Sequence, residues 1–154
     1  MQGDYAGALK YLNECDPVST GAEVISTSLK GFVYLKNGMK KEADWHFDHV
    51  IRDNMKINEN DQDRNCDAYR GLMTVYSAMG EKRKAMDYLH KTLYCLNQKI
   101  TIHQIVDLKY NPMFDIIRNE PEFQEFINEM EVNFQAERMK VEKLLREENI
   151  LVQK

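Results

Sequence analysis

The chain has 154 residues, enough for one hydrophobic core, and 43% of them are hydrophobic. A net charge of −4 weakens a nucleic-acid reading, which calls for a clustered basic face. No apolar run approaches the ~20 residues of a membrane span, and no signal-peptide layout opens the chain. Three prolines and seven glycines favour long helices over a turn-rich sheet. Cys15, Cys66 and Cys95 are an odd number at unrelated spacings and read as thiols of a reducing compartment, so the expected location is cytoplasmic.

Taken in order, Tyr5, Ala8, Leu9 and Leu12 mark one face of a helix over residues 4–15, stopped at Asp16-Pro17 because proline disfavours helical geometry in the residue before it. A helix over 22–36 should close at Asn37-Gly38, glycine supplying a left-handed cap. A second helix, 40–53, should bury Ala43, Phe47, Val50 and Ile51. The polar stretch 54–65 breaks the rhythm and reads as a loop; it lacks the turn glycine and terminal glutamate of a calcium loop. A helix over 66–79 turns Tyr69, Leu72, Met73 and Tyr76 inward and ends at Gly80. Another covers 82–96, with Ala85, Leu89 and Leu93 inward. A short helix, 102–108, leads to two sharp corners at Pro112 and Pro121, and Pro121 suits the first position of a long helix reaching about Leu151.

Within this order one pattern occurs twice. Tyr34, Gly38, Ala43 and Phe47 are echoed by Tyr76, Gly80, Ala85 and Leu89, and Gly3, Ala8 and Leu12 form a truncated copy. A helix that ends in a glycine turn and meets a small residue on the next helix is a closely packed hairpin. Glycine-to-glycine spacing grows from 35 residues to 42, which places the additional residues in the 54–65 loop or in lengthened helix ends beside it.

The spacing resembles the tetratricopeptide repeat family, helical hairpins of about 34 residues stacked into a right-handed superhelix. The second copy matches at Tyr69, Leu72, Tyr76, Gly80, Ala85 and Leu89; the first matches at Gly31, Tyr34, Gly38, Ala43 and Phe47. Thr27, Lys30 and Met73 depart from the family pattern, and the closing proline is missing from both copies. The resemblance implies an all-α array over 1–123, with a half repeat 1–17, full repeats 22–53 and 66–97, and a closing segment 100–123. The helix 124–154 follows as a cap or coiled coil. Asn111, Pro112, Phe114, Ile117, Arg118, Glu120, Pro121 and Phe123 resemble the segment that closes such arrays in large bacterial regulatory proteins. Together with the half repeat at the start, this implies the carboxyl-terminal sensory or scaffolding part of a longer protein rather than an enzyme.

In that family the first helix of each hairpin lines a concave groove. Here it would present Ser28, Phe32, Leu35 and Lys36 from one copy and Arg70, Thr74 and Ser77 from the other, to a partner peptide or to the chain's own tail. The tail helix carries Phe134, Val141, Leu144 and Leu151 on a three-four seam, a cap on the last hairpin or a homodimer interface. Glu42, His46, His49 and Asp53 share one helical face at spacings a metal could use, but a solvated polar face explains them as well, and no metal or other cofactor is expected. Phosphate loops, serine elbows and Cys/His pairs at catalytic spacing are missing from the sequence. The expected partner is a protein or peptide, with no nucleic acid and no membrane.

Overall fold

The structure, a computed structural model, describes residues 3–14, 23–56, 62–93 and 101–148. Among these residues every regular element is helical: α1 (Tyr5–Glu14), α2 (Glu23–Lys36), α3 (Lys40–Asn54), α4 (Gln62–Ala78), α5 (Lys82–Leu93), α6 (Ile102–Tyr110), a 3₁₀ turn (Pro112–Phe114) and α7 (Pro121–Glu147). None is long and apolar enough to cross a membrane. The all-α expectation therefore holds. The acidic residues at 57–61, and Leu151 at the end of the predicted seam, lie outside the described residues.

The repeated tyrosine-to-glycine spacing has a specific backbone cause. Gly38 and Gly80 adopt φ of 76° and 82°, the left-handed region that glycine enters without a Cβ clash. After Gly38, the Met39 N–H donates to the Tyr34 carbonyl at 3.0 Å and the Gly38 N–H to Leu35 at 3.1 Å. After Gly80, the Glu81 N–H donates to Tyr76 at 2.8 Å and the Gly80 N–H to Ser77 at 3.0 Å. Both turns are Schellman caps, and each repeated tyrosine is the residue whose carbonyl accepts the long-reach bond.

Each of the first five helices packs on its neighbour in sequence, and α2 also touches α4. Two clusters result. One joins Phe32, Ala43, Phe47, Val50, Val75, Ala78 and Met113; the other joins the α4/α5 hairpin to Ile105, Leu108, Phe114, Ile117, Phe123, Phe126, Ile127 and Met130. Helix α4 begins at Gln62, earlier than the sequence suggests, so part of the longer repeat spacing goes into helix. Asn37 ties the first helix on: its Nδ2 donates to the Tyr5 carbonyl at 2.9 Å and to Val33 at 2.8 Å.

The closing segment is built by the residues that define its motif. Asn111 Oδ1 accepts from the Met113 N–H at 3.0 Å, capping the 3₁₀ turn, and its Nδ2 donates to Asp107 at 2.8 Å. The Arg118 guanidinium gathers the end of α6, donating to the carbonyls of Leu108, Lys109 and Asn111 while pairing with Asp115 at 2.8 Å. A cation at a helix carboxyl end meets the orphan carbonyls and the negative end of the helix dipole. Phe114 and Phe123 meet with ring centroids 5.8 Å apart, and Glu120 pairs with Lys82 at 2.7 Å, anchoring the start of α7 to α5.

Candidate functional site

The residues assigned to a concave groove divide. Ser28, Phe32 and Ser77 are buried, so they line no open groove; Leu35, Arg70 and Thr74 are half-buried, and only Lys36 is exposed. The chain itself does the covering. Tyr5 of α1 meets Phe32 edge-on at 5.9 Å, and Met113 of the closing segment joins the cluster of Phe32, Val75 and Ala78. Lys36 Nζ lies 5.0 Å from the Phe32 ring centroid, so even the exposed cation is engaged by the array. Thr74 Oγ1 donates to the Arg70 carbonyl at 2.8 Å, which leaves its hydroxyl satisfied within its own helix.

The tail helix divides as well. Phe123, Phe126, Ile127 and Met130 are buried and Phe134 packs partly against the core. Lys109 Nζ meets Glu131 at 2.6 Å, holding α6 against this first half. Beyond Phe134 the helix continues with no buried residue through 148. Val141 is 53% exposed and Leu144 59% exposed, on the face that packs earlier in the same helix. This half is held by charge pairs within the helix: Glu137 with Lys140, Glu142 with Arg146 and Glu147 with Lys143, at 2.6, 2.6 and 3.7 Å. Such pairs contribute about 0.2–0.5 kcal/mol each, modest support for an unpacked helix.

One reading from the sequence is corrected here. Cys66 is disulfide-bonded, so it is not the thiol expected, and its share of the argument for a reducing compartment falls. The four residues considered for a metal do not assemble as one. His49 Nε2 pairs with Asp53 at 3.2 Å while the His46 ring stacks on Tyr34, and among the described residues no group of three or more His, Cys, Asp and Glu could hold an ion.

What the sequence reading missed is a stack of aromatic side chains within each of the two hairpins. In α4/α5, Tyr76 stacks on Tyr88 at 5.6 Å, and Tyr69 lies 6.3 Å from Tyr88. Lys84 sits over Tyr76 at 4.9 Å, and Lys91 over Tyr88 at 4.6 Å and Tyr69 at 5.7 Å. Glu81, 2.6 Å from Lys84, raises the lysine pKa by hydrogen bonding, and burial raises that of Tyr88. In α2/α3, Tyr34 stacks on His46 at 5.2 Å, and Trp45 stacks on His49 at 5.8 Å and meets His46 edge-on at 4.9 Å. Burial, with help from Lys30 and His49, lowers the His46 pKa and keeps that imidazole neutral at pH 7. A shallow, open cavity of about 280 Å³ lies between Tyr34, Lys41, Glu42, Trp45 and His46. The signal for these stacks was the alignment of the two copies, which places Tyr34 with Tyr76 and His46 with Tyr88.

No protein-family model matches the chain, and comparison with curated proteins and with solved structures likewise finds no match.

Proposed function

We propose that this chain is a non-enzymatic protein–protein interaction scaffold, a tetratricopeptide-like array that fills much of its own groove and offers the distal half of α7 to a partner. The observation that carries this reading is the continuity of one apolar face. It is buried from Phe123 to Met130, half-buried at Phe134, and uncovered at Val141 and Leu144. An isolated helical stretch of this length is marginal in water, and a partner packed along Val141 and Leu144 would hold it. In the broader reading that the resemblance implies, the array is the sensory or scaffolding part of a larger bacterial regulator.

The same seam supports a second reading, homodimerisation that sets the spacing of attached domains. Mixed charges beside the seam suit a coiled coil, while Glu137 within it weakens a parallel in-register pair by facing its own copy. Light scattering tests the dimer directly. Wild type at twice 18.2 kDa, falling to one chain mass in Val141→Asp/Leu144→Asp, is the result the dimer requires. Phe134 is a poor choice for the same test because it also touches the core. A wild type of single-chain mass at every concentration removes the dimer. Pull-down of a partner lost in the same double variant then tests the scaffold alone.

A further inference from the structure

The second hairpin caps its aromatic stack with its own lysine. Lys84 Nζ lies 4.9 Å from the Tyr76 ring centroid and 2.6 Å from Glu81 Oε2, an ammonium held between an aromatic face and a carboxylate. A shift of 42 residues maps this onto the first hairpin, where the stack persists as Tyr34 on His46. There Glu42 stands at the position of Lys84 and Met39 at that of Glu81. The built-in cation is gone, a carboxylate has replaced it, and the cavity of about 280 Å³ occupies the place. We propose that this cavity binds an alkylammonium group, the lysine-type cation that the second hairpin supplies to itself.

Three further observations favour a cation. Glu42 has no ion-pair partner among the described residues, whereas on the same helix Asp44 pairs with Lys40 and Asp53 with His49 and Lys56. Trp45 adds a second ring to the wall and is 65% exposed. His46 is neutral at pH 7, so the ring beneath Tyr34 brings no competing charge. Lys41 in the lining, and Lys30 whose charge helps lower the His46 pKa, oppose a cation. The volume lies near the lower end of small-molecule sites and suits a group the size of one side chain. A cation–π contact beside an exposed carboxylate gives weak binding, on the order of tens of millimolar or weaker.

Trp45 is the only tryptophan, so its fluorescence reports on the site in the full chain. Titration with n-butylammonium chloride, at ionic strength held by sodium chloride, should give a saturable change that n-butanol does not produce. Glu42→Gln should weaken binding about threefold to fivefold, and Lys41→Gln should tighten it about threefold, each on the scale of one exposed charge pair. Met39→Glu/Glu42→Lys, which transplants the second hairpin's residues, should abolish saturation while circular dichroism shows an unchanged melt. A capped lysine residue that binds more tightly than n-butylammonium assigns the cation to a polypeptide, and the reverse order assigns it to a free amine. Equal responses to n-butylammonium and n-butanol would overturn the proposal. So would weakening by Lys41→Gln, which marks an anion or zwitterion as the guest.

Discussion

Where α2 meets α3, Gly31 leaves its place to the Phe47 ring, and a Cβ on that glycine would lie 2.6 Å from Phe47 Cε1. Where α4 meets α5, the corresponding positions hold Met73 and Leu89, both fully buried. Glycine with a large ring in one hairpin, and a long flexible side chain with a smaller one in the other, fill equivalent spaces. The charges are allocated differently too. Lys84 and Lys91 cover the rings of the second hairpin, while Glu42 and His49 stand at those positions in the first. Both hairpins keep the Schellman glycine and a fully buried alanine, Ala43 or Ala85. The backbone turn and the closest helix approach are thus fixed, and the remaining volume and surface charge are open to exchange.

The comparison is broken most severely at Met73. Met73→Ala leaves a cavity under α5 and should cost about 2–5 kcal/mol, read as a lower urea midpoint with an unchanged slope. Gly31→Ala attacks the other hairpin by overpacking and should cost about 1–3 kcal/mol. Combining it with Phe47→Leu, the residue of the second hairpin, should return about 1 kcal/mol as coupling in a double-mutant cycle. Strict additivity would show that the two hairpins do not trade volume in this way. Gly38→Ala and Gly80→Ala should cost about 1 kcal/mol each, and nearly equally, because both positions demand positive φ. Thermal midpoints that differ widely between these two variants would separate the turns.

The smallest effect expected belongs to His46. Its pKa is lowered from 6.5 in the folded chain, so below that value the unfolded chain takes up the proton first. Stability is full above pH 6.5 and declines as pH falls from 6.5 toward the lowered value. The ring is half-buried, so solvent screening keeps the loss small. His46→Gln should flatten the dependence of the urea midpoint on pH in that window, and an unchanged profile would place the titration elsewhere.

The hairpins were legible because glycine at a left-handed cap, alanine at a close approach and apolar side chains at helical spacing leave the chain few other choices. The closing segment was legible as a motif, but the work of its arginine, gathering three carbonyls at the end of α6, appears only when those carbonyls converge. The groove was misread at Ser28, Phe32 and Ser77 for a related reason. Register tells which face of a helix points away from its own hairpin partner, but not whether Tyr5 or Met113, far away in sequence, will lie on that face. Cys66 shows the same limit, since a spacing between cysteines does not report the distance between their sulfurs.

By itself the sequence determined the helices, their glycine corners and the small residues that let neighbours approach, all of which follow from interactions within a few residues or one hairpin. Tertiary structure decided which surfaces stay open: it covered Phe32, left Val141 and Leu144 bare, and set Tyr34, Glu42 and Trp45 around a shared cavity. Burial is a property of what arrives from elsewhere in the chain, and a helix's own periodicity carries no record of that.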